Sequence, residues 1–164
     1  MRKAMLLLAI LGLAGSLWAA DPIIGTWKLN IAKSKFPANQ PNKPKEGVEV
    51  YREVEGNQIE LTYTQTGTDG SSGGVSKYRW HAQGGITKCL QDCTEGMSYI
   101  ETLIDPGNWY ATGLQNGQQI FAGHKIVSKD GKTMIQTWKS MDAQGKVTLS
   151  FMTSSRGLTP QRSF

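Results

Sequence analysis

His81 and His124 are the only histidines in this 164-residue chain. They stand far apart, each on a run of alternating character. Imidazole is the side chain that titrates nearest neutrality, so a metal pair or a general base would have to draw on these two. The competing reading is a histidine that faces solvent or accepts a structural hydrogen bond. The only cysteines are Cys89 and Cys93, in Cys-Leu-Gln-Asp-Cys. Two thiols are too few for a closed zinc site, and their spacing is not that of a Cys-x-x-Cys redox pair. In an oxidising compartment a local disulfide is the default, with free thiols and a metal or redox pair as alternatives. The serine pairs at Ser71-Ser72 and Ser154-Ser155 lie in no Gly-x-Ser-x-Gly elbow. Asp and Glu are spread along strands and turns with no meaningful paired spacing. No catalytic set and no metal set is assembled by the sequence, and the chain reads as a non-enzyme with no cofactor.

Aromatic residues are the more informative inventory. Trp27, Tyr63, Tyr78, Trp80, Tyr99, Trp109, Tyr110, Phe121, Trp138 and Phe151 fall on nearly every strand-like run. Cross-strand packing in a core explains such a distribution, and so does a cavity lined by rings with a few polar groups. The groups expected to face a cavity are Tyr63, Arg79, His124, Trp138 and Phe151.

The segment that precedes these runs is a targeting signal. Arg2 and Lys3 form a basic start, residues 5–13 are apolar, and small residues lead to Ala19 and Ala20. Residues 1–20 are therefore read as a signal peptide, and the protein as periplasmic or secreted. The apolar run is short for a spanning helix, which needs about 20 residues. The mature chain has no segment that could span as a helix. Removing twenty residues leaves 144, enough for one domain over residues 21–164. The chain carries 18 Lys+Arg against 13 Asp+Glu, a net charge of +5. The basic residues are scattered, so no nucleic-acid stripe is indicated.

Behind the signal, residues 23–30 alternate. Ile23, Gly25, Trp27 and Leu29 share one face, and Ile24, Thr26, Lys28 and Asn30 the other. Residues 31–45 hold Pro37, Pro41 and Pro44, which exclude a stable helix and give a long polar loop, read either as a surface strap or as a cover over a site. Period-two runs follow at 48–55 and 59–64, joined at Gly56-Asn57. A glycine- and serine-rich loop spans 67–74 and has no phosphate-loop spacing. Further strands fall at 75–82, 86–89, 97–104, 109–114, 120–128, 134–141 and 147–154. Asp105-Pro106-Gly107-Asn108, Asn116-Gly117, Asp130-Gly131 and Ala143-Gln144-Gly145 supply the turns. A meander of this length buries its edges by closing on itself. The fold class is therefore all-β, a single antiparallel up-and-down barrel of eight to ten strands.

Gly25-Thr26-Trp27 on a first strand resembles the Gly-x-Trp motif of the calycin superfamily, the lipocalins and fatty-acid-binding proteins. The mature chain is also similar to small exported bacterial proteins of lipocalin-like type. The resemblance rests on residues 25–30, the Ala-Lys-Ser-Lys of 32–35, the prolines of 37–44, and the turns at 128–133 and 143–146. It implies a barrel with a central cavity. It also implies that Trp27 sits at the closed end, covered by a basic residue from the end of the last strand, for which Arg156 is the candidate through a cation–π contact. The two helices that a fatty-acid-binding protein places after its first strand do not fit the prolines, and no arginine–tyrosine carboxylate clamp stands out. The expected function is an exported barrel that binds a small, largely apolar molecule without chemistry. The rivals are a filled barrel serving as a structural or interaction module of the cell envelope, and a barrel enzyme, an isomerase or a haem-dependent one.

Overall fold

Alternation of side chains along each run, with a glycine-containing turn at most joints, lets consecutive strands pair as hairpins. The computed structural model describes residues 20–38, 40, 43–141 and 146–157. Residues 1–19 of the expected signal peptide 1–20, the expected turn at Ala143-Gln144-Gly145 and residues 158–164 lie outside the described residues.

Eleven strands form one sheet: β1 (Gly25–Leu29), β2 (Pro44–Val54), β3 (Gln58–Gly67), β4 (Ser72–His81), β5 (Gly84–Ile86), β6 (Lys88–Gln91), β7 (Met97–Asp105), β8 (Asn108–Gln115), β9 (Gln118–Val127), β10 (Thr133–Met141) and β11 (Val147–Arg156). Their order is β5-β7-β8-β9-β10-β11-β1-β2-β3-β4-β6, and every pairing is antiparallel. The count exceeds the expected eight to ten because one run is split. Gly84–Ile86 pairs with β7, whereas Lys88–Gln91 pairs with β4. The ladder changes partner at Thr87, and this broken strand nearly closes the barrel. The last strand also runs two residues longer than the expected 147–154, so that Arg156 ends β11.

Alternating strand directions gather the turns after β2, β4, β7 and β9 at one end, together with the N-terminal residues 21–24. This end is plugged. Ile23, Trp27, Ile59, Trp109 and Met134 are each no more than 1% exposed. The Trp27 indole donates to the Ile23 carbonyl at 2.8 Å. Trp109 and the Gly107 amide both donate to the Asp21 carboxylate at 3.3 Å. Arg156 lies opposite Trp27 in the β1–β11 ladder, with its guanidinium 4.4 Å from the indole centroid. The same guanidinium donates to the carbonyls of Pro22, Ile24 and Gly131.

The glycine of Gly-Thr-Trp has a physical reason here. Gly25 adopts φ +147°, and a Cβ there would lie 2.6 Å from Arg156 Nη1. Only glycine lets the guanidinium lie against the strand. The described residues between β1 and β2, 30–38, 40 and 43, lie at the opposite end. They begin with a short 3₁₀ turn, Ile31–Lys33, capped by Asn30. No pair of helices is inserted there among the described residues. Trp27→Ala is expected to cost about 3–5 kcal/mol through the cavity it leaves, and Gly25→Ala about 1–3 kcal/mol through backbone strain. Urea denaturation of the two variants measures both.

Candidate functional site

The end opposite Arg156 opens into a cavity of about 420 Å³. Volumes of roughly 300–1,000 Å³ are typical of small-molecule sites. Its walls come from inward residues of almost every strand: Glu49 and Tyr51 of β2, Leu61 and Tyr63 of β3, Tyr78 and Trp80 of β4. Tyr99 and Glu101 of β7, Phe121 and Lys125 of β9, Gln136 and Trp138 of β10, and Met152 of β11 complete it. Phe36 and Gln40 from the proline-bearing loop also line it. The rings meet edge to face. Tyr78 and Tyr99 are 4.9 Å apart, Tyr99 and Phe121 are 5.7 Å apart in a tilted pair, and Phe121 and Trp138 are 5.5 Å apart. Gly113 makes room for this wall, because a Cβ there would collide with the Phe121 ring.

The floor of the cavity is polar. Lys125 Nζ donates to Glu101 Oε1 at 2.7 Å, and both side chains are 4% exposed. Rings of Tyr51, Trp80 and Trp138 surround the ammonium at 5.6–5.9 Å, adding cation–π attraction in a site where water does not compete. Beside this pair, Gln136 Nε2 donates to Glu49 Oε2 at 2.7 Å, the Tyr51 hydroxyl donates to the same oxygen at 3.3 Å, and Trp138 donates to Gln136 Oε1 at 3.2 Å. Two buried polar atoms on the floor have no hydrogen-bond partner among the described residues: Glu101 Oε2 and Trp80 Nε1.

Burial raises the pKa of Glu49 above the ordinary carboxylate value. Lys125 and the hydrogen bonds from Gln136 and Tyr51 offset part of that rise, and Glu101 adds to it. Burial likewise raises Tyr51, Tyr63 and Tyr99, so all three stay neutral donors at physiological pH.

The residues expected at the cavity divide. Tyr63 and Trp138 are both in its lining. Arg79, His124 and Phe151 are on the outer face. Arg79 pairs across the ladder with Glu60 of β3 at 2.5 Å. His124 is exposed and stacks edge-on against Tyr110, 4.9 Å away. Phe151 alternates with the inward Ser150 and Met152 and pairs with Lys35 through a backbone bridge. Each stands one position out of phase with the inward residues of its own strand, and a strand's period of two then places it outside. His81 is exposed as well. With neither histidine inside, an imidazole-ligated haem has no ligand in the cavity.

Cys89 and Cys93 form a disulfide at the open rim, with an S–S distance of 2.01 Å. No group of three potential metal ligands occurs among the described residues, and none of their helices is long and apolar enough to cross a membrane. Sequence reasoning missed Glu49, Glu101, Lys125 and Gln136. The alternation of β2 carried a signal for Glu49, since Gly47, Glu49 and Tyr51 form one face. Apolar bias favours the valine face instead, and only the closed barrel turns the acid inward.

No protein-family model matches this chain, and no curated protein matches it. Solved structures do. A point mutant of the fluorescent protein UnaG aligns with a TM-score of 0.57 at 9% identity, over 84% of this chain and 98% of that one. The zebrafish ileal bile acid-binding protein, complexed with cholic acid, aligns with a TM-score of 0.55 at 13% identity, over 83% of this chain and 99% of that one. At such identities the likeness is one of fold. The chain has a nearly closed antiparallel barrel like those of the lipocalins and fatty-acid-binding proteins.

Lys125→Met is expected to cost about 3–5 kcal/mol, because it strands Glu101 as a buried, uncompensated charge. Adding Glu101→Gln should recover most of that loss in urea denaturation. Glu49 carries a pH signature of opposite sense to a salt-bridged acid. Its folded pKa lies above its unfolded one, so the native state holds the proton longer as pH rises. Stability therefore falls from the ordinary carboxylate pKa upward and levels off above the raised pKa. Glu49→Gln should be more stable than the parent at pH 7, and the gain should vanish below the ordinary carboxylate range.

Proposed function

We propose that the protein is an exported bacterial barrel of lipocalin-like type that holds one small, largely apolar molecule and performs no chemistry on it. The observation that carries this reading is the cavity itself: about 420 Å³, walled by aromatic rings, in a barrel plugged at its other end. Tyr63 and Trp138 are proposed as ligand contacts from the wall. A structural module with a filled barrel would spend this volume on side chains. A similar barrel, the zebrafish ileal bile acid-binding protein, has been solved with cholic acid, which supports a molecule of small-metabolite size. Phe36 and Gln40 stand at the cavity from the loop after β1, and we assign that loop the role of a cover. Export rests on the basic start, the apolar run and the small residues before Asp21. Asp21 is already built into the plugged end through Trp109 and Gly107, which agrees with cleavage after Ala19 or Ala20.

Native mass spectrometry of the protein purified from its own host tests the reading. The expected spectrum shows a retained small molecule that disappears on denaturation. A neutral dye, Nile red, should brighten in the emptied protein, and Ser150→Trp, which fills the cavity from β11, should abolish the brightening. A clean apo mass combined with no Nile red response would overturn the proposal.

A further inference from the structure

The charges at the cavity narrow the class of molecule it takes. Three charged side chains line it among the described residues: Glu49, Glu101 and Lys125. Two are acids and one is a base. Lys125 is not available to a ligand. It is 3% exposed, its ammonium is held by Glu101 Oε1, and three rings enclose it.

Glu49 stands differently. It lies deep in the barrel yet keeps part of its surface open to the cavity. Both of its hydrogen bonds fall on Oε2, from Gln136 and Tyr51, which leaves Oε1 for a ligand. Behind it, Glu101 Oε2 is a buried acceptor with no hydrogen-bond partner among the described residues, an arrangement that costs free energy until a donor reaches it. The surrounding walls of Tyr63, Tyr99, Phe121 and Trp138 present ring faces or edges to the same space, and ring faces attract cations. A ligand carboxylate would meet Glu49 in a low-dielectric setting with no free cation to receive it, where like charges repel strongly.

We infer that the cavity recognises an organic cation, an amine or amidinium on a flat or alicyclic apolar body, which donates its N–H to Glu49 Oε1 with Glu101 behind it and seats its body between Phe121, Tyr99 and Trp138. This rests on the container reading and specifies what is contained. The sign of recognition is opposite to that of a carboxylate clamp. The Glu101–Lys125 pair sets the floor, and the excess negative charge of Glu49 selects the ligand. The acid without a ligand sits in a costly place, and the incoming cation supplies the counter-charge that burial denies it.

Three probes that share a 1-naphthylmethyl group and differ in the charge it carries separate the possibilities: 1-naphthylmethylamine, 1-naphthalenemethanol and naphthalene-1-acetate (the free carboxylate), titrated calorimetrically into the full mature protein at pH 7 and low salt. The expected order is amine, then alcohol, then carboxylate, with at least a tenfold gap between the first and the last. Glu49→Gln should narrow the amine-to-alcohol ratio several-fold. A carboxylate that binds as well as the amine, or a ratio that Glu49→Gln leaves unmoved, overturns the charge assignment while the container reading stands. If none of the three binds and Nile red does not brighten either, the container reading fails and this inference fails with it. If Nile red brightens and none of the three binds, the inference alone is overturned.

Discussion

Closure of the first strand onto the last is the constraint on which the rest of the structure depends. β1 is only five residues long, and its ladder to β11 spans three residue pairs. Few backbone hydrogen bonds hold that seam. Arg156 reinforces it with three carbonyl contacts and a guanidinium stacked on Trp27. These bonds tie the end of β11 to residues 22–24 and to the β9–β10 turn. Because Gly25 has no Cβ, the guanidinium can lie flat against the strand. The motif, the seam and the plug are one arrangement.

The plug divides the interior into two halves with different tasks. Toward Arg156 the barrel is packed with Trp27, Trp109, Ile23, Ile59 and Met134, none exposed beyond 1%. Toward the loop after β1 the same barrel is left open, and its inward side chains are rings and hydrogen-bonding groups. Between the halves lies the Lys125–Glu101 pair, roofed by Tyr51, Trp80 and Trp138. Buried ion pairs add little net stability compared with apolar residues of the same shape. This pair stands at the boundary, beside Glu49, whose two hydrogen bonds fall on one oxygen. The packed half lets the open half exist, since rigid strands hold the cavity walls apart.

The broken strand at Thr87 shows how the barrel meets its last topological demand. β5 and β6 each pair on one side only. Two short pieces reach both neighbours where one straight strand would not. The disulfide between Cys89 and Cys93 ties the β6 end of this break at the open rim. The seam at β1–β11 is thus secured by a side chain, and the seam at β5–β6 by a change of partner and a covalent link.

Much of the container was legible in the residues. Period-two alternation, Asn116-Gly117 and Asp130-Gly131 turns, and prolines after the first strand dictated an antiparallel meander, because each feature acts within a few residues. The pairing of Trp27 with Arg156 followed from a resemblance and not from spacing, since the two stand at opposite ends of the chain. The inner face of each strand was not legible. A strand shows which residues share a face, but burial is settled by which way the closed sheet curves. Tyr63 and Trp138 were placed at the cavity because aromatic rings suit it, yet the same reasoning placed Phe151 and His124 there, and closure turned them out. On β2, alternation left both faces open, and the barrel turned Gly47, Glu49 and Tyr51 inward. The sequence by itself therefore determined the strands, the turns and the motif that plugs the barrel. Tertiary structure alone decided that Glu49 of β2 and Glu101 of β7 meet the β9–β10 hairpin partners Lys125 and Gln136 on one floor, because only closure of the sheet brings those distant strands together.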